Sequence, residues 1–240
     1  MTTTTIDPPP KDLLFAGLLE SSLQQFPSHQ RTAIGPPEEF REVIIAKKKG
    51  STVFRSDFYR IGAQGDFRGV HIFSPVIEIV NLFFFPNHSL RLPVFAMEFV
   101  RIGPRGVVGV IDCKGHDDDQ SSQKIARSIL GAAHRTFPHL TNGEDPPAWY
   151  AEARSGDDFF VRPESLAEFQ ELIRCHHFVW QQYAGHASDA SPEKKASPER
   201  SNFLRYYKDH HRDNSPGIPF LNRVFGEDWT ATFLRDHLFS

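Results

Sequence analysis

The 240-residue sequence predicts an α+β fold. The expected form is an α/β/α sandwich with a central antiparallel sheet of about six strands flanked by helices. Three observations carry this expectation. β-rich runs crowd the middle of the chain, the turns between them are too short to hold a crossover helix, and helical periodicity occurs only before and after them. A hydrophobic content of 39% is enough to fill a core on both sides of such a sheet.

The start of the chain, residues 1–11, is rich in Thr and Pro and reads as a flexible tail. Residues 12–240 read as a single domain. Leu13, Leu14, Leu18, Leu19 and Leu23 are spaced for a helix over Asp12–Phe26, with Asp12 as its cap. Strands are expected at Glu42–Lys47, Thr52–Ile61, Phe67–Ser74, Ile77–Phe85, Val94–Ile102 and Val107–Asp112. Turn residues such as Pro86–Asn87 and Gly103–Pro104 separate them. Helices resume at Ser121–Phe137, Ser165–Tyr183, Asn202–His211 and Glu227–Leu238. Residues 184–200 are rich in Ala, Ser, Pro and charge, and are expected to form a mobile loop.

Several functional classes are disfavoured. A net charge of −3 offers no global basic field for nucleic acid. No stretch approaches the roughly 20 apolar residues of a membrane helix. Cys113 and Cys175 form no CxxC pair, which argues against iron–sulfur, Cys-zinc and disulfide scaffolds and fits a reducing, cytoplasmic setting. The pairs His176–His177 and His210–His211 do not share a helix face, so no metal site is expected. Gly103, Gly106 and Gly109 lack a phosphate-binding spacing, and no GxSxG element is present. Phe is in excess, at 22 residues against 5 Tyr and 3 Trp. That suits a packed aromatic core, a pocket for a flat conjugated ligand, or both.

The most specific block runs from Phe67 to Gly115. A strand ends at Phe85–Pro86, followed by Leu92-Pro93-Val94-Phe95, an acidic strand residue Glu98 and a further strand ending at Asp112. Two later segments agree: Asp158-Phe159-Phe160-Val161-Arg162-Pro163 before a long helix, and Phe225-Gly226-Glu227-Asp228-Trp229 with a Leu238-Phe239 ending. In order and spacing these elements resemble the ferredoxin-dependent bilin reductases. The resemblance implies an α/β/α sandwich with a linear tetrapyrrole between the sheet and the C-terminal helices. It also implies electrons from external ferredoxin, no bound cofactor, and a monomer.

In such an enzyme the substrate takes up the electrons and the protein supplies protons. A carboxyl does so when burial raises its pKa towards neutrality. Glu98 stands where the resemblance places an acid on the sheet face of the pocket, although strand alternation alone leaves a solvent-facing Glu equally open. Asp213 resembles an acid entering from the helical side, with Asp209 as its alternative. Asn81, Phe83, Phe95 and Arg162 are the implied substrate-binding residues. Asn81 and Phe73 replace the His and Glu that the resemblance assigns to the phycocyanobilin-forming branch. That points to a phycoerythrobilin-type product, made from biliverdin or 15,16-dihydrobiliverdin. The alternatives are an enzyme like red chlorophyll catabolite reductase, which also has a Glu at this place, and a non-catalytic bilin carrier. Lys47, Lys48 and Lys49, with Arg60 nearby, are the candidate docking patch for an acidic ferredoxin.

Overall fold

A computed structural model describes residues 13–46, 50–103, 106–140, 146–193 and 197–240. The tail at 1–11, Asp12 and the three lysines at 47–49 lie outside these. Its centre is an eight-stranded antiparallel sheet. The strands are β1 (Arg31–Ala33), β2 (Glu42–Ile45), β3 (Thr52–Ile61), β4 (Gly65–Phe73), β5 (Ile77–Pro86), β6 (Val94–Ile102), β7 (Val107–Lys114) and β8 (Phe159–Val161). They run in the order β1-β3-β4-β5-β6-β7-β8, with β2 also paired to β3. β3 to β7 form the expected meander. The two additions, β1 and β8, are three residues long and cap the sheet edges, too short to show an alternation.

The helices are α1 (Leu18–Leu23), α2 (Glu38–Arg41), α3 (Gln120–Thr136), α4 (Ala148–Ala151), α5 (Leu166–Asp189), α6 (Pro198–Asn214), α7 (Ile218–Phe225) and α8 (Glu227–Thr232). A π-helical turn, Phe233–Leu238, follows α8. Helix α1 is shorter than its leucine spacing predicts. Gly17, at φ +74°, ends any helical path before Leu18, and Pro27 follows Phe26. Phe15 and Phe26 enter the core from outside the helix.

Strand alternation divides the core into two layers. On one face Leu82, Phe84, Phe95, Met97 and Phe99 pack against α3 and α5. There the Trp180 indole donates to the Ser22 carbonyl at 2.6 Å and the Tyr183 hydroxyl to the Pro93 carbonyl at 2.8 Å. On the other face Phe54, Val70, Ile72, Phe83, Phe85 and Ala96 meet α6, α7 and the π turn. Glu78, fully buried at the start of β5, accepts hydrogen bonds from the Leu14 and Phe15 N–H groups at 2.8 and 2.9 Å. His71 lies 3.2 Å from the same carboxylate.

The expected mobile loop at 184–200 is corrected at both ends. Helix α5 continues to Asp189 because Ala184 and Ala187 are good helix formers and are buried. Helix α6 begins at Pro198, with the Ser197 Oγ accepting from the Arg200 N–H. Ser-Pro here starts a helix, although its composition reads as loop. Arg200 is buried and clamps the junction. It donates from Nε to the His88 carbonyl at 2.9 Å, from Nη1 to Asp119 at 3.3 Å, and from Nη2 to Glu193.

Candidate active site

Pairing of β4, β5 and β6 creates the floor of a cleft. Asn81 pairs with Val70 on one side and with Glu98 on the other. Directly opposed residues on one face have Cβ atoms about 5 Å apart. The amide and the carboxyl are therefore near neighbours, and Ile79 and Phe83 extend the same face. The opposite wall comes from the helical layer: His211 on α6, Ser215 and Gly217 after it, Phe220 and Leu221 on α7, and Phe233, Leu234, Leu238 and Phe239 from the π turn onward. Gly226, at φ +95°, makes the bend between α7 and α8 that turns this wall over the sheet. The cleft holds about 610 Å³ of non-protein space including its mouth.

The walls are apolar, so the few polar atoms matter. Burial pushes the Glu98 carboxyl up to about 7, leaving it part protonated at neutral pH. The Asn81 Oδ1 and His211 Nε2 are buried without a hydrogen-bond partner among the described residues. Burial, followed by the neighbouring His210, pushes the His211 imidazole down to about 3, so it is neutral. A part-protonated carboxyl, an amide and a neutral imidazole thus converge on one apolar slot.

Asn81, Phe83 and Glu98 are brought together as the sequence implies. The other three implied site residues are not. Phe95 is three residues from Glu98, and the period of two sends it to the opposite face. It is fully buried there, its ring centroid 4.8 Å from that of Trp180. Arg162 is exposed beyond β8, its guanidinium 5.9 Å from the Phe160 ring centre and off the cleft lining. Asp213 is 59% exposed, with both oxygens on Arg212 at 2.8 and 3.1 Å. Two helical residues turn about 200°, so with His211 facing inwards Asp213 must face solvent. Asp209, also on Arg212 at 2.7 Å, faces outwards for the same reason. Phe73 packs beside His71, ring centroids 5.0 Å apart, away from the cleft. Val70 and Ile72 present β4 to the slot instead.

Asp112 is buried but serves the scaffold. It accepts from the Ser155 N–H at 3.0 Å and hydroxyl at 2.5 Å, and its carboxyl is pushed up by burial and by Asp158. His211 is the residue that the sequence reading missed. Its signal was the spacing of Leu204, Tyr207 and His211 along one stripe of α6. Among the described residues no cluster of His, Cys, Asp and Glu is placed to hold a metal ion. No helix among them is long and apolar enough to cross a membrane.

Known proteins resemble this chain in sequence and in fold. The phycocyanobilin:ferredoxin oxidoreductase of Trichodesmium erythraeum is 28% identical over 183 residues, covering 72% of this chain and 71% of that protein. A phycoerythrobilin:ferredoxin oxidoreductase of Prochlorococcus marinus is 23% identical over 189 residues, with the same coverage of 72% and 71%. The 15,16-dihydrobiliverdin:ferredoxin oxidoreductase of Nostoc punctiforme is 22% identical over 234 residues, covering 94% and 93%. The crystal structure of tomato phytochromobilin synthase in complex with biliverdin superposes with a TM-score of 0.79 at 16% identity. It covers 94% of this chain and 82% of that one, and shows the same fold. The family model of ferredoxin-dependent bilin reductases matches residues 18–240. With a match of that span, the chain belongs to the ferredoxin-dependent bilin reductases and is a bilin:ferredoxin oxidoreductase.

Proposed function

We propose that this enzyme reduces biliverdin or 15,16-dihydrobiliverdin to a phycoerythrobilin-type bilin, with Glu98 as a proton donor. Reducing one double bond takes two electrons and two protons. A plant-type ferredoxin delivers single electrons at about −400 mV. The conjugated tetrapyrrole accepts them itself, so this reading needs no resident flavin or metal. The protein's tasks are to hold the substrate flat, to keep water from the radical state, and to place protons. The apolar walls suit the first two. Glu98 suits the third, because an acid with a pKa near the working pH is both protonated often enough and able to release its proton.

The observation that carries this reading is the pairing of Glu98 with Asn81 on the cleft floor. The product class rests on Asn81. Its amide does not titrate, so no second ionisable side chain stands directly opposite Glu98 on β5. Relatives named for either product resemble the chain, so product analysis is the decisive experiment. Biliverdin, ferredoxin, ferredoxin reductase and NADPH are incubated anaerobically, and the pigment is separated by chromatography. A phycoerythrobilin-type pigment is expected. Phycocyanobilin as the main product would overturn the assignment, and a spectral shift without turnover would mark a carrier.

A further inference from the structure

His211 is 6% exposed and lines the cleft, yet its Nε2 has no hydrogen-bond partner among the described residues. Leaving a buried polar atom unsatisfied is costly, and a folded protein retains it where a ligand supplies the missing partner. The ring is not loosely placed. Its centroid lies 4.4 Å from that of Tyr207, 5.6 Å from Phe83, 6.0 Å from Phe239 and 6.1 Å from Trp149. Four aromatic rings thus fix the plane of the imidazole. Its neighbour His210 is engaged elsewhere, 2.6 Å from the Trp149 carbonyl. Across the slot stand Asn81, whose Oδ1 is likewise unpartnered, and Glu98.

We infer that His211 is a substrate-contacting residue, its Nε2 hydrogen-bonding the polar edge of the bound tetrapyrrole from the helical wall. The inference rests on the functional reading above and adds to it. The partner on the ligand is a pyrrole nitrogen or a terminal lactam group, either of which a neutral imidazole can meet in one of its tautomers. The helical wall would then answer the sheet with an uncharged ring, in the place where the sequence suggests the carboxylate of Asp213. Among the described residues Glu98 remains the only acid lining the slot, while Asn81 and His211 hold the substrate against it from two sides.

The contact is tested with His211→Phe, which keeps an aromatic ring and removes the nitrogens, and His211→Gln, which keeps a polar group. Biliverdin affinity is read by absorbance titration, stability by thermal unfolding, and KM and kcat separately. About tenfold weaker binding is expected for His211→Phe. Because that change also removes the orphaned atom, the unliganded variant should melt about 2–4 °C higher. His211→Gln should recover most of the affinity. Packing alone would lower stability and affinity together, without rescue by Gln, and that outcome overturns the inference. So does a His211→Phe variant that binds and turns over normally. Failure of the unaltered protein to bind biliverdin overturns the functional reading itself, and this inference with it.

Discussion

Replacing Glu98 by Gln separates the two consequences of burying a carboxyl in the cleft. The first concerns turnover. Gln keeps the size and polarity of the side chain but cannot release a proton, and loss of a general acid costs about 10²–10⁴-fold. The second concerns stability. Glu98 has its pKa raised from an ordinary 4.5 to about 7 by burial alone. A carboxyl that holds its proton more tightly when folded carries no penalty below pH 4.5. The penalty grows between 4.5 and 7 and is complete above 7. The full shift corresponds to about 3 kcal/mol. This is an upper limit, because Glu98 keeps some solvent contact and water in the cleft softens the charge. Glu98→Gln should therefore melt close to the unaltered enzyme at pH 4.5 and above it at pH 8, by at most roughly 6–12 °C. Anaerobic turnover with ferredoxin and thermal unfolding at the two pH values read both effects. Full activity in the variant would refute the proton-donor role. A melting difference that does not change with pH would refute the buried, part-protonated state.

Two further expectations concern residues outside the slot. Asp213→Asn removes only an exposed ion pair with Arg212, so turnover should stay within about twofold and stability within about 0.5 kcal/mol. A stalled reaction would show that α6 rearranges on binding. Glu78→Ala leaves the Leu14 and Phe15 N–H groups unanswered and should cost about 2–5 kcal/mol by denaturant titration. Burial pushes the Glu78 carboxyl up, but hydrogen bonds from His71, Phe15 and Leu14 outweigh it and hold the pKa below 4.5. The stability it supplies is thus present above pH 4.5 and lost as the pH falls further. A midpoint unchanged by the substitution would show that the clamp does not matter.

The meander was legible because β3 to β7 are β-rich runs joined by short turns, two local signals that agree. β1 and β8 were not, since three residues carry no period and their pairing is set by distant strands. The Glu98–Asn81 pair was readable in part. Each side chain followed from its own strand and from the family resemblance, whereas the register that opposes them needs both strands at once. Placing Phe95 in the same pocket overlooked the parity of the strand. Asp213 failed for a similar reason. The expected helix stops at His211, but α6 runs on to Asn214, and a helical angle then decides the direction of Asp213. Arg200 shows the reverse error, because a segment with loop-like composition is held by a buried ionic clamp that only tertiary contacts reveal.

The two-faced strand β6 has an evolutionary consequence. Even-numbered positions from Val94 to Glu98 look towards the ligand side, while Phe95, Met97 and Phe99 are sealed against α5. Selection on pigment chemistry and selection on folding therefore act on interleaved residues that barely touch one another. On the roles proposed for Glu98 and Asn81, exchanging either changes the chemistry of the cleft while the aromatic layer behind the sheet keeps its packing. Such separability lets one scaffold diversify by single substitutions, without first passing through unstable intermediates.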